Sequence, residues 1–201
     1  MTNVLIVFYS TWGHMYQMAK AVEEGAKSIK GTTVRLSQVA ELIPKEKWDE
    51  GIKKAKGMMK DIPIATNDDL EWADGIVFGT PTRYGNMASQ MKQFIDQTGN
   101  LWQKNALVDK IAGFFTSTAS IHGGQETTLI TSMIPMFHLG MIIVGIPYTE
   151  TKLFALEGGG TPYGASTVTG GDGSRMPSEN ELEIAKTLGK RVATIAKKVK
   201  G

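Results

Sequence analysis

Three short segments carry the side chains whose types and spacing suit chemistry. Ser10-Thr11-Trp12-Gly13-His14-Met15 sets two hydroxyls and a glycine directly ahead of an apolar repeat with helical spacing. Backbone N–H groups at such a helix start, aided by its dipole, hold a phosphate without a cationic side chain. The same hydroxyls also suit helix capping. Pro81-Thr82-Arg83-Tyr84-Gly85-Asn86 offers a cation, an aromatic ring and an adaptable backbone, and reads equally as a strand–helix connection. Thr116 to Gly124 offers hydroxyls, His122 and paired glycines that let a backbone approach a ligand closely, or that simply form a loop tip. Together they supply one monophosphate cradle and two walls for a flat heteroaromatic ring. The first segment lacks the Gly-x-Gly-x-x-Gly of dinucleotide folds and the Gly-Lys-Ser/Thr end of a triphosphate loop.

Each segment follows a run that reads as a buried strand. Val4–Tyr9 is a continuous, largely β-branched apolar run, and Ala73–Gly79 and Lys110–Ser117 read as further strands. Thr33–Ser37 and Met141–Ile146 complete five strands. Between them, Met15, Met18, Ala19, Val22, Ala26 and Ile29 recur with helical spacing, as do Met87, Met91, Phe94 and Ile95. Gln125–Leu139 reads as a helix that Pro135 should kink. Ser178, with Glu181 at the capping-box position, starts a last helix. The alternation predicts an α/β doubly wound parallel sheet in a single domain, 1–201. Ligands in such sheets bind at the carboxyl ends of the strands. A polar, Lys-rich stretch at about 38–70 reads as an insertion, packed on the sheet edge or on a neighbouring subunit. A Gly-rich stretch at about 157–175 reads as an ordered loop that interrupts or follows strand five.

The chain has 201 residues, 22 Lys+Arg against 20 Asp+Glu and no cysteine. Missing cysteine removes disulfides, thiolate catalysis and iron–sulfur ligation, and fits a reducing cytoplasm. The near-neutral balance, with a basic cluster at the C-terminus that complements a helix dipole, argues against a nucleic-acid partner. No apolar run approaches a membrane span, so the expectation is a protein retained in the cytoplasm. The three histidines share no metal-ligand spacing, and no metal is expected.

Tyr9-Ser10-Thr11-Trp12-Gly13-His14, Gly79-Thr80-Pro81-Thr82-Arg83-Tyr84-Gly85-Asn86-Met87, Gly124-Gln125-Glu126-Thr127 and Gly159-Gly160-Thr161-Pro162-Tyr163-Gly164-Ala165 resemble the WrbA family across essentially the whole chain. These are flavodoxin-like NAD(P)H:quinone oxidoreductases, first named as tryptophan-repressor-binding proteins. The resemblance implies a five-stranded sheet of order 2-1-3-4-5 with helices on both faces. It implies non-covalently bound FMN, NADH or NADPH as co-substrate, and two-electron reduction of a quinone by ping-pong hydride transfer. Ser10, Thr11, Trp12, Gly13, His14 and Met15 would hold the FMN phosphate. Pro81, Thr82, Arg83, Tyr84 and Gly85 would border the flavin ring, and Ser117, Thr118, Ala119, Ser120, Ile121 and His122 would flank its other side. His138 would reach the cofactor and, with Arg83, act in catalysis. Trp102 would line the substrate cavity, and Trp12 would lie near the nicotinamide nucleotide. A homotetramer with sites completed by a neighbouring chain is also implied. A one-electron flavodoxin carrier and a repressor-binding accessory protein are the competing readings; Arg83 and His122, with no carboxylate in either ring-wall loop, favour the reductase.

Overall fold

The computed structural model describes residues Met1–Gly201. β1 (Thr2–Phe8) pairs in parallel with β2 (Thr32–Gln38) on one side and β3 (Gly75–Pro81) on the other, and β3 pairs with β4 (Ile111–Thr118). Val4 to Phe8 is wholly buried, because helices cover both faces of this central strand. An uninterrupted apolar run is what such a position demands. The register places Phe8 beside Gly79, and Pro81 beside Ser117. The loops that follow β1, β3 and β4 therefore leave the sheet along one rim.

The parallel order is β2-β1-β3-β4-β5, as flavodoxin-like folds require. The fifth position is divided. β5 (Ile142–Ile143) pairs only with Ile111 and Ala112, and β6 (Ala165–Val168) resumes beside Phe115 to Thr118. The expected six-residue strand at Met141–Ile146 thus shortens to two paired residues, and four residues of the Gly-rich stretch form a strand. Past β5, Gly145 packs directly on the Pro162 carbonyl, where a Cβ would stand 2.2 Å from the oxygen, and the Ile146 N–H donates to the same carbonyl. The excursion between the two strands runs into the first part of the Gly-rich stretch, through Gly158 to Gly164, before the strand position resumes at Ala165.

One face carries α1 (His14–Lys27) and α7 (Glu179–Lys200). Met15, Met18 and Val22 of the first meet Ile184, Leu188 and Val192 of the second over the sheet. Their backbones touch: a Cβ at Gly25 would fall 1.9 Å from the Lys186 carbonyl oxygen. The opposite face carries α3 (Asn67–Trp72), α4 (Ser89–Asp96), α5 (Gly99–Gln103) and α6 (Gln125–His138). Leu70, Met91, Phe94, Leu101, Leu129 and Met136 are their core contributions. Ser178 and Glu181 form the expected capping box at the start of α7.

The Lys-rich stretch folds back on the edge of the sheet. The Gln38 N–H donates to the Pro63 carbonyl, and the Ala65 N–H donates to the Gln38 carbonyl. α2 (Glu50–Met58) lies within it, started by Asp49 accepting from the Ile52 N–H. Ala55 and Met59 enter the core beside α1, which sets α2 over the loop that follows β1.

Candidate functional site

The rim holds a cleft of about 740 Å³. Trp12 and His14 line it from the first loop, Pro81, Thr82 and Arg83 from the second, and Ser117, Thr118 and Ala119 from the third. α2 overhangs it with Gly51, Lys54, Ala55 and Met58, and Thr169 to Gly173 closes the far side. A cavity of this size suits a small-molecule nucleotide.

The first loop is built to expose backbone donors. The Ser10 hydroxyl accepts from the Gly13 N–H at 3.0 Å, which folds the loop tightly. Gly13 stands at the N-cap with φ 100°, a left-handed conformation that suits glycine. No side chain caps α1, so Ser10 and Thr11 do not serve the capping role open to them in the sequence. The N–H groups of Thr11, Trp12, His14 and Met15 find no acceptor in the protein. A cluster of unpaired donors at a helix start suits an anion. The Met15 side chain itself is core; only its backbone belongs to the site.

Two ties hold the loop to its neighbours. Arg83 donates from Nη2 to the Thr11 hydroxyl at 3.2 Å and from Nη1 to the Thr82 carbonyl at 2.8 Å. The His14 ring donates from Nε2 to the Gly173 carbonyl at 3.0 Å, which joins the first loop to the Gly-rich segment. Burial holds the His14 imidazole below its ordinary range, against the opposing effect of that hydrogen bond. Behind the loop, burial above all pushes the Tyr9 phenol up to about 12, with the nearby Glu41 adding to it and a hydrogen bond with Thr11 opposing.

The second and third loops differ in what they offer. Thr82 receives the Gly85 N–H on its hydroxyl at 3.1 Å, and the Thr128 hydroxyl lies 2.8 Å away. Tyr84 stands in the left-handed region, φ 56°, with its ring fully in solvent. Ser120, Ile121 and His122 form the exposed turn beyond Ala119 and do not line the cleft. His138 and Trp102 lie in a separate shallow depression between α4, α5 and α6, with Ile95, Thr98 and Ile134. Within one chain, the structure does not bring them to the cleft.

Glu181 is a site-supporting residue whose sequence signal was only a capping box. It is 0% exposed and accepts from the N–H groups of Gly159, Val168 and Ser178, from the Thr167 hydroxyl and from Arg175. Burial would raise its carboxyl, but these hydrogen bonds outweigh burial and hold it below the ordinary range. The result fixes β6 and the Thr169–Gly173 wall onto the start of α7.

The chain from residue 3 to residue 151 matches the family model described as NADPH-dependent FMN reductase. A protein of Aromatoleum aromaticum named NAD(P)H dehydrogenase (quinone) is 51% identical over 96% of this chain and 95% of its own. One of the same name from Trichlorobacter lovleyi is 52% identical over 97% of each. Among solved structures, a flavodoxin-type WrbA-like protein from Agrobacterium tumefaciens superposes with a TM-score of 0.68, at 26% identity over 98% of this chain and 99% of that one. With its divided fifth strand, glycine-headed first loop and Gly-rich wall, the chain belongs to the WrbA-like NAD(P)H dehydrogenase (quinone) family within the FMN reductase fold.

Proposed function

We propose that this protein is an FMN-dependent NAD(P)H:quinone oxidoreductase, with FMN seated in the rim cleft. The observation that carries the reading is the set of unpartnered N–H groups of Thr11, Trp12, His14 and Met15 at the head of α1. That cradle suits one monophosphate, and the hydroxyls of Ser117 and Thr118 lie across the same cleft. Bound FMN would supply the redox chemistry, taking two electrons from the nicotinamide and passing them to the quinone.

The residues supply position and charge. Arg83, fixed between Thr11 and Thr82, sets a permanent positive charge beside the ring-binding walls. Such a charge favours the anionic, fully reduced cofactor over a one-electron state. Trp12, 52% exposed at the cleft mouth, offers a stacking surface for the nicotinamide nucleotide. Both substrates use one open face, so each leaves before the other binds.

A second copy of the chain completes the site in this reading. Ile130, Ile134 and Phe137 project from α6 into solvent, Phe137 being 63% exposed, and Trp102 stands beside Ile134. An apolar patch of this kind suits association. It brings His138 and Trp102 to a neighbour's cleft, in the homotetramer that the family resemblance implies. No helix is long and apolar enough to cross a membrane. A cytoplasmic location belongs to the same reading, supported by the cysteine-free composition.

Reconstitution tests the assignment. Apoprotein loaded with FMN should oxidise NADH or NADPH in the presence of a benzoquinone, whereas riboflavin should give little activity at equal concentration. FMN-independent activity, or none with any quinone, would refute it.

A further inference from the structure

Lys56 is the one lysine of α2 whose side chain is nearly buried, 11% exposed. Its neighbours Lys53 and Lys54 are in solvent. Its ammonium lies 2.6 Å from Glu41 Oε2 and donates to the Ser10 carbonyl at 3.0 Å. It also sits 5.0 Å from the centroid of the Tyr9 ring. Glu41 is itself immobilised: it accepts from Tyr9 Oη and Gln90 Nε2, both at 3.1 Å, and from the N–H groups of Leu42 and Ile43, both at 2.9 Å. The ammonium is therefore held at Ser10 by a carboxylate that is itself fixed in place.

We propose that Lys56 is a positioning residue for phosphate recognition: anchored by Glu41, it fixes the Ser10–Thr11 peptide so that the Thr11 N–H is held ready for the cofactor phosphate. The inference rests on the reading that FMN occupies the first loop. The peptide is trans, and a planar trans peptide points its C=O and N–H in opposite directions. An ammonium that draws the Ser10 oxygen towards α2 turns the Thr11 N–H to the other side, where no protein acceptor takes it. A charged donor on the carbonyl also polarises the amide, which makes that N–H a stronger donor. Burying an ion pair seldom adds stability over an apolar pair of similar size. The contact with Ser10 gives the charge a purpose that packing alone does not.

The test is a flavin titration of full-length apoprotein, with FMN and with riboflavin, followed by fluorescence quenching. Wild type should prefer FMN. Lys56→Met should reduce the ratio of the two affinities by roughly tenfold or more, the size expected for one charge-assisted hydrogen bond. The loss should fall on FMN, with riboflavin affinity nearly unchanged. Lys56→Arg should restore much of the preference. The double variant Lys56→Met/Glu41→Gln removes the unpaired carboxylate, and should regain thermal stability without regaining the preference. An unchanged ratio in Lys56→Met, equal weakening of both flavins, or a ratio restored by the double variant would overturn the proposal. Wild type that binds riboflavin as tightly as FMN would instead refute the phosphate assignment of the first loop, and this proposal with it.

Discussion

Arg83 Nη2 donates to the Thr11 hydroxyl at 3.2 Å, so the cation of one rim loop is fastened to the phosphate loop of another. The two residues stand 72 positions apart, and the parallel register of β1 with β3 brings their loops side by side. Charge placement and loop geometry are thereby coupled.

Replacing Arg83 should disturb both. Arg83→Gln removes the charge and the two charge-assisted hydrogen bonds to Thr11 and Thr82, and FMN affinity should fall roughly tenfold or more. Quenching titration of the apoprotein measures it. Unchanged affinity would show that Arg83 neither supports the loop nor meets the cofactor.

The burial of His14, which outweighs its hydrogen bond to Gly173, predicts a pH dependence of stability. The folded imidazole is held below the ordinary value of 6.5. Between the two values the unfolded chain binds a proton that the folded chain does not, so stability falls as pH drops through 6.5. The loss levels off below the folded value. Urea midpoints of the apoprotein from about pH 8 to about pH 5 should show this slope, and His14→Asn should flatten it. Glu41 and Glu181, held below 4.5, lose their contributions only at lower pH.

Glu181→Ala should be among the most damaging single changes. It leaves Arg175 and several backbone donors without their partner. The cost should be about 3–5 kcal/mol, the usual range for breaking a buried charged pair. Urea denaturation measures it, and a loss under about 1 kcal/mol would mean that water replaces the carboxylate.

The region around Glu181 also marks the limit of what the sequence makes legible. β1, β3 and β4 are each built around an apolar stretch, Val4 to Phe8, Ile76 to Phe78 and Ile111 to Phe115, and the loops at their ends follow directly from them. β6 is Ala-Ser-Thr-Val, and it reads as loop because two of its residues are hydroxylic. Ser166 and Thr167 are nevertheless wholly buried, since Gln125 and Glu181 accept their hydroxyls. A polar strand satisfied by distant side chains leaves no hydrophobic pattern to find. The cleft residues of α2 are hidden for another reason. Their role depends on how the stretch from Val39 to Trp72 folds back, which is set by the Gln38 contacts with Met59, Ile62 and Pro63 rather than by any local motif.

Assembly is tested by Ile134→Glu. The substitution puts a charge on the exposed face of α6, away from the cleft. The variant should stay folded by circular dichroism, dissociate on size-exclusion chromatography with light scattering, and lose quinone reduction. Trp102→Ala should keep the assembly and the FMN, and raise the KM for quinone, since stacking is worth about 0.5–1.5 kcal/mol. An active monomer would confine the whole site to one chain.

The most direct measurement is the initial-rate pattern of the FMN-loaded protein, with NAD(P)H varied at several fixed quinone concentrations. Substrates that occupy the same open face in turn give parallel double-reciprocal lines, and excess quinone inhibits competitively against NAD(P)H. Intersecting lines would require both substrates bound together, and would contradict a single cleft in which the nicotinamide departs before the quinone arrives.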